Sequence, residues 1–371
     1  MTASLYIHIP FCVKKCDYCA FVSGEESKAP QNMDEYLLFL YDELKKQLEF
    51  FKVDSVPSVY IGGGTPTLLG AKRLEALFCF LHKKLPPDLR EITLEANPES
   101  LDGEIISVCE AAGITRLSVG IQSLNGRSRK LAGRSGEPEE IIKKLNLLLK
   151  TKIDICFDLI SGLPQQDFDS IYFDIQKLLC YNPAHISLYE LILEEGTALF
   201  RKTREKKITL PTVEEREALW FYAASLLHEA GFEQYEVSAF ARAGKFCIHN
   251  IRYWQMQNWL GVGRSASGTI IDDEACAGVR VCDGKVEKLG RETLLKETIM
   301  MGFRCIKGID EALFKKRFKQ PLSFYIPKTL AAWRAKGFLH SGSTAPKQSG
   351  LLWVNAIARD AFNELSALSN K

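Results

Sequence analysis

LYIHIPFCVKKCDYCAF, residues 5–21, is the stretch on which the fold turns. A short alternating run rich in β-branched residues, Leu5–Ile9, is followed at once by Cys12, Cys16 and Cys19 in the spacing C-x3-C-x2-C. A strand that ends and delivers three thiols within one loop puts a site at its C-terminal end. Thiolates are soft ligands that suit zinc or iron–sulfur clusters. Zinc takes a closed tetrahedral set, commonly four Cys or His ligands in two pairs. No second pair follows here, although His8 and Cys247 stand as candidates for a fourth ligand. A 4Fe–4S cubane on three cysteines leaves one iron open to a chelating ligand. The cluster is the favoured reading, with a zinc knuckle as the alternative.

Working outward, short β-branched runs alternate with amphipathic helical patterns. Candidate strands are Leu5–Ile9, Ser58–Ile61, Glu91–Glu95, Arg116–Ile121, Ile153–Leu159 and His185–Tyr189. Candidate helices between them are Met33–Phe51, Lys72–Leu85, Asp102–Ala112, Glu139–Leu149 and Asp169–Leu179. This alternation implies parallel βαβ units. It fits an open doubly wound sheet or an incomplete barrel equally well. The unusual residues collect on one side: Cys12, the Gly62–Thr65 turn, Glu95, Gln122 and Asp158 all fall at or near the C-terminal ends of the candidate strands. In parallel α/β folds that is the face on which sites are built.

The turn Gly62-Gly63-Gly64-Thr65-Pro66 lacks the Lys-Ser/Thr of a phosphate loop and the spacing of a dinucleotide fingerprint. Its glycines allow close backbone approach and expose N–H groups, which suits a zwitterionic amino-acid ligand beside a cysteine cluster. Glu95 is an acceptor for an ammonium or a ribose hydroxyl. Gln122, Arg134 and Asp158 add donors and acceptors around the same mouth. Singly, each is more often a cap or a surface residue; together they describe a polar pocket.

The remaining properties bound the class. The chain has 371 residues, 46% hydrophobic and 25% charged, which is ordinary globular composition. Its net charge of +2 gives no argument for nucleic acid as a partner. No run approaches the roughly 18 apolar residues that span a bilayer, and the start of the chain carries no secretory pattern. Peripheral membrane contact is left open by the sequence. Eleven cysteines, an odd number without paired spacing, argue for a reducing cytoplasm. After about residue 200 the alternation stops. Val213–Ala230 reads as a helix, Gln234–Ser238 as a strand, and Phe246–Gly268 as an aromatic, glycine-rich loop. Helical stretches at Leu294–Phe303 and Pro327–Lys336 then form a small, mostly helical region, winged-helix-like in pattern.

YIHIPFCVKKCDYCAF, GGGTPT, EANPE, GIQSLN and DLISGLPQQ together resemble the oxygen-independent coproporphyrinogen III dehydrogenase family of the radical SAM superfamily. The resemblance implies a 4Fe–4S cluster on Cys12, Cys16 and Cys19 and an incomplete (β/α)6 barrel of TIM type. It implies S-adenosylmethionine (SAM) held by Tyr6, Gly63, Gly64, Thr65, Glu95, Gln122, Arg134 and Asp158, with Tyr18 near the adenine. The chemistry implied is reduction of the SAM sulfonium to a 5′-deoxyadenosyl radical, with an electron donor such as a flavodoxin or ferredoxin. The expected organisation is a core over 1–200, an extension over 201–290 and a helical accessory domain over 291–371.

Within that family the chain is similar to the haem-chaperone subgroup, HemW. Phe21 stands where the dehydrogenase pattern C-x3-C-x2-C-x-C has its last cysteine. The first strand begins only four residues after the start, without the dehydrogenase's long leading segment. His249-Asn250-Ile251-Arg252-Tyr253-Trp254 matches the subgroup's HN-x-x-YW motif. The resemblance implies haem as a further ligand, His249 as its contact, and recipient haemoproteins as partners. Tyr253, Trp254 and Trp259 are candidates for a flat apolar wall. Ser267 stands where many members of the subgroup carry a histidine. The alternative function is oxidative decarboxylation of two propionates of coproporphyrinogen III.

Overall fold

The computed structural model describes residues 1–25 and 33–369. Six parallel strands carry the architecture: β1 (Ser4–Ile9), β2 (Ser58–Gly63), β3 (Glu91–Ala96), β4 (Arg116–Gln122), β5 (Asp154–Ser161) and β6 (His185–Glu190). Helices α1 (Met33–Phe50), α2 (Gly70–Lys84), α3 (Gly103–Ala111), α4 (Pro138–Leu145) and α5 (Phe168–Leu179) connect them. Each of these six strands was expected, and their ends are shifted by at most two residues.

Strict alternation explains why this sheet has a greasy outside and a polar inside. Leu5, Ile7 and Ile9 on β1, Val59 and Ile61 on β2, and Leu117, Val119 and Ile121 on β4 are all almost fully buried. They join Leu37, Leu40, Leu74, Leu77, Ile105, Ile141 and Ile175 of the helices in one core. Each buried aliphatic side chain there is worth roughly 1.5–3 kcal/mol, so the outer face alone can hold the helices. The alternate residues face a lumen and are free to be polar: Ser4, Tyr6 and His8 on β1, then Ser58, Tyr60 and Gly62 on β2. Glu91, Thr93 and Glu95 follow on β3, and Arg116, Ser118 and Gly120 on β4. Registers such as Tyr6 with Tyr60, Tyr60 with Thr93, and Asp158 with Ser187 keep this parity around the sheet. Strand order is β1-β2-β3-β4-β5-β6, and the outer two do not pair with each other, so the barrel is incomplete.

Helix starts follow local chemistry. Asp102 caps α3 by accepting from Ile105 N at 2.8 Å. Asp167 and Ser170 form a capping box on α5, and Thr212 and Glu215 form one on α6 (Val213–Glu229).

Two expectations for the second half are corrected. Phe246–Gly268 is not a loop: it contains α7 (Ile248–Trp254), β8 (Trp259–Val262) and the start of β9 (Ser267–Asp272). β8 runs parallel to β1, with Leu5 beside Leu260, and β9, β10 (Ala277–Cys282) and β11 (Lys285–Leu289) extend that edge antiparallel. Four-residue β8 becomes a strand through pairing with β1 on one side and β9 on the other, which local patterning does not reveal. Nor is Gln234–Ser238 one strand. Glu233–Gln234 pairs antiparallel with β7 (Ala239–Ala241) about a turn in which Glu236 is buried.

Helices α8 (Arg291–Gly302), α9 (Glu311–Phe318), α10 (Pro327–Ala335) and α11 (Val354–Ser369) close the fold. They enclose a second core built on Leu294, Ile299, Phe314, Phe318, Leu330 and Ile357. Among the described residues no helix is long and apolar enough to cross a membrane.

Candidate functional site

The loop after β1 carries Cys12, Cys16 and Cys19 as free thiols over the open end of the lumen. Backbone bonds fix it from two sides: Asp17 N donates to Ala132 O at 3.0 Å, and Leu199 N donates to Asp17 O at 2.7 Å. Lys202 Nζ adds an ion pair to Asp17 at 2.5 Å. Below the thiols lies a cavity of about 510 Å³. It is lined by the three cysteines, Tyr18, Gly63, Gly64, Thr65, Glu95, Gln122, Arg134 and Asp158. Phe21, 70% exposed, stands at its rim.

Two expected site residues lie elsewhere. Tyr6 faces the lumen but does not line the cavity; its hydroxyl bonds to His8 Nδ1 at 2.9 Å. His8 Nε2 meets Val22 O at 2.9 Å. A carbonyl only accepts, so Nε2 carries the proton and Nδ1 accepts from Tyr6. Burial lowers the His8 pKa, and the ring is a neutral strut under the cysteine loop. His249 sits at the opposite end of the lumen. It is 8% exposed, with Nδ1 3.2 Å from Ser58 Oγ and its ring 5.3 Å from that of Tyr60. Nor do the aromatics beside it make one plane: Tyr253 meets Trp254 and Trp259 edge-on, at 61° and 70°. Ser267 gives its carbonyl to the Trp259 indole N–H at 2.8 Å.

The glycine turn also reads differently in three dimensions. A Cβ on Gly62 would lie 2.7 Å from the Glu95 carboxyl carbon, and one on Gly63, at φ +114°, would lie 2.5 Å from the His8 ring. A Cβ on Gly64 would collide with the Phe11 carbonyl. The protein's own groups, rather than a ligand alone, demand glycine here.

The lumen walls are electrostatically one-sided. Glu95 accepts from Tyr60 Oη at 2.8 Å and from Gly63 N at 2.9 Å. Burial first, then the charge of Asp158, pushes its pKa up to about 7. Asp158 lies in mid-strand, deeper than its expected place at a strand end, and accepts from Ser118 Oγ at 3.0 Å. Burial raises it too. Two half-buried carboxylates on one wall, both with raised pKa values, are a receptor for positive charge. Across the cavity Arg134 points to Cys16 Sγ at 3.7 Å and Asn97 Oδ1 at 3.2 Å, and also donates to Gly120 O. Arg134 Nε and Gln122 Oε1 are buried at the cavity wall without a partner. Buried polar atoms rarely stay unpaired, so these two await a ligand.

This donor set fits an aminoacyl sulfonium such as SAM: carboxylates for its positive charges, a guanidinium for its carboxylate. The thiols fit a cluster better than a single ion. Among the described residues no three Cys, His, Asp or Glu side chains converge on one metal position. A cubane spreads its cysteine sulfurs wider than one tetrahedral zinc does. Both candidates for a fourth zinc ligand are occupied elsewhere. His8 has both ring nitrogens bonded, and Cys247 is buried at the far end with Sγ 3.4 Å from Glu91.

Asn97, Tyr60, Ser118 and Arg129 also belong to this architecture and were not singled out from sequence. Asn97 Nδ2 donates to Thr65 Oγ1 at 2.7 Å, tying the glycine turn to Arg134. Lumen parity was the missed signal for Tyr60, which shares a face with Gly62 on β2.

Comparison with known proteins agrees with this geometry. Residues 6–177 match the family described as the radical SAM superfamily, and residues 289–353 match the HemN C-terminal domain. Heme chaperone HemW of Buchnera aphidicola is 31% identical over 349 residues, 91% of each chain. The mitochondrial radical S-adenosyl methionine domain-containing protein 1 of Bos taurus is 37% identical over 309 residues, 81% of this chain and 67% of its own. The solved structure of coproporphyrinogen III oxidase (HemN) from Escherichia coli superposes with TM-score 0.78 at 22% identity. That match spans 97% of this chain and 90% of the other, and it shows the shared fold. With that length and identity of match to HemW, the chain belongs to the HemW family of the radical SAM superfamily.

Proposed function

We propose that the chain is a haem chaperone: it binds haem and delivers it to haemoproteins, with a 4Fe–4S cluster and SAM held at the cysteine end of the lumen. The observation that carries this reading is the match to the Buchnera relative named a heme chaperone, 31% identical over 91% of both chains. Cys12, Cys16 and Cys19 would hold the cluster. SAM bound there supplies a sulfonium whose one-electron reduction yields a carbon radical. Glu95 and Asp158 would face its positive charges, Arg134 its carboxylate, Gln122 Oε1 a donor such as its ammonium or a ribose hydroxyl, Gly63, Gly64 and Thr65 its aminoacyl end, and Tyr18 its adenine. Tyr6 would act from below, by steadying His8 under the loop. A low-potential flavodoxin or ferredoxin would supply the electron, and the compartment would be the cytoplasm. The three-part division at residues 200 and 290 is proposed on the same grounds.

His249 is the candidate axial ligand, since imidazole is a common ligand of haem iron. Its backbone N–H and that of Ile248 both donate to the Glu91 carboxylate at 2.8 Å, and its ring is buried against Ser58 and Tyr60, so haem ligation would need the ring uncovered. Tyr253, 39% exposed, already offers an aromatic surface on the same helix.

The test is haem titration of anaerobically reconstituted protein. A saturable Soret band that His249→Ala weakens about tenfold or more in affinity is expected, together with no turnover of coproporphyrinogen III. Absence of saturable haem binding, or SAM-dependent formation of protoporphyrinogen, would overturn the reading.

A further inference from the structure

Arg129 is 1% exposed and points away from solvent, beneath the wall that carries Gln122 and Arg134. Its guanidinium is used almost entirely on backbone. Nη1 donates to Ile121 O at 2.8 Å and to Ser123 O at 3.0 Å, the two carbonyls that flank Gln122. Nε donates to Gly136 O at 3.1 Å, and Nη2 donates to Ser135 O, the carbonyls just after Arg134. One carboxylate, Glu99, is 3.3 Å from Nη2.

The backbone at both ends of this clamp needs holding. Gln122 has φ +67°, a left-handed conformation at the end of β4, where the register with β5 slips. Gly133, next to Arg134, has φ +70°, and a Cβ there would lie 2.7 Å from Asp17 of the cysteine loop. Arg134 N also donates to Arg129 O at 2.9 Å. Arg129 thus joins the strand end bearing Gln122, the turn bearing Arg134 and, through that turn, the cluster loop. Burial first, then the charge of Arg134, lowers its pKa to about 10, so it stays cationic near neutral pH.

We infer that Arg129 is a positioning residue: it fixes the backbone at Gln122 and Arg134 and, by aiming the Arg134 guanidinium, makes that end of the cavity selective for the carboxylate of an aminoacyl ligand. The inference rests on the SAM reading of the cavity. It requires Arg129 to matter for the carboxylate and not for the sulfonium, which Glu95 and Asp158 would face.

The test measures equilibrium binding of SAM and of decarboxylated SAM to the full-length reconstituted chain. The second ligand keeps the sulfonium and the amine and lacks only the carboxylate. Arg129→Met is expected to weaken SAM about tenfold and to leave decarboxylated SAM within about twofold. Arg129→Lys keeps the cation but cannot span four carbonyls, and is expected to show the same selective loss in smaller measure. Equal affinities for SAM in wild type and variants, or proportional losses for both ligands, would overturn the inference. Should Arg129→Met not fold, Arg129→Lys decides alone. Failure of the wild type to bind SAM would instead remove the SAM reading itself.

Discussion

The two ends of the lumen are built from the same kinds of residue and do different things. At the cysteine end, Glu95, Gln122, Arg134 and Asp158 surround open space, and Gln122 Oε1 and Arg134 Nε lack partners. At the far end the polar groups are turned on one another. Glu91 caps α7 through Ile248 N and His249 N, and lies 3.9 Å from Arg116. Arg116 Nη1 donates to Lys245 O at 3.0 Å, and His185 bonds to Tyr235 Oη at 2.9 Å. The closed end has loose atoms too, Arg116 Nε and His185 Nδ1, but the 510 Å³ cavity reaches neither. Polarity alone therefore does not mark a binding site in this fold. Polarity that opens on volume does.

Removing one carboxylate from each end should break the symmetry most visibly. Glu91→Ala strips the cap from α7 and leaves Arg116 buried without its anion. Loss of one partner of a buried pair typically costs about 3–5 kcal/mol. Urea unfolding of the apo-protein should show that loss. Glu95→Gln, by contrast, removes a carboxylate whose burial is unfavourable when ionised, and should be neutral or stabilising near pH 8. Comparable destabilisation by both changes would refute the distinction between the ends.

Acid should separate the same two regions by sign. Glu95 has a folded pKa of about 7 against an ordinary 4.5, so folding favours its protonated form. Its contribution is most favourable below pH 4.5 and is lost as pH rises through 7. His249 is held at about 3 against an ordinary 6.5, chiefly by burial, so folding favours its neutral form. Its contribution is full above pH 6.5 and is lost as pH falls toward 3. Each group changes stability by at most about 1.4 kcal/mol per pH unit within its window. Relative to wild type, Glu95→Gln should therefore gain stability as pH rises from 5 to 8, and His249→Gln should gain as pH falls from 6.5 to 5. Parallel pH profiles for wild type and either variant would show that the group is not held as described.

How much of this could be read beforehand follows from what each feature depends on. The six parallel strands were legible because each carries its own period-2 pattern of apolar residues. Strand β8 was not, because Trp259–Val262 is short and takes its identity from pairing with β1 and β9. The cysteines, Glu95, Gln122, Arg134 and Asp158 were legible as chemistry near strand ends, and one cavity does take them all. Tyr6 and His249 share a lumen with that cavity without lining it, a difference of depth that spacing does not encode. Arg129 sits in a run, Gly126–Leu131, that reads as a solvated charged turn of helix. Only the fold shows its side chain turned inward, onto backbone carbonyls.

Tyr60 offers the finest test, because it touches both ends. Its hydroxyl donates to Glu95 at 2.8 Å, while its ring lies 5.3 Å from that of His249. Tyr60→Phe keeps the ring and removes the donor. If the two ends are separate environments, the cost falls on Glu95 alone: its carboxylate loses a hydrogen bond that favours the charged form, so its pKa rises further. The stability loss should be modest, about 1 kcal/mol, and larger at pH 8 than at pH 5, where Glu95 is mostly protonated. The His249 ring resonances in a nitrogen-15 histidine spectrum should stay where they are in wild type, since neither the aromatic contact nor the Ser58 bond is touched. A shift of those resonances would mean that the Tyr60 hydroxyl also governs the far end. The lumen would then be one connected polar network rather than two ends that share a wall.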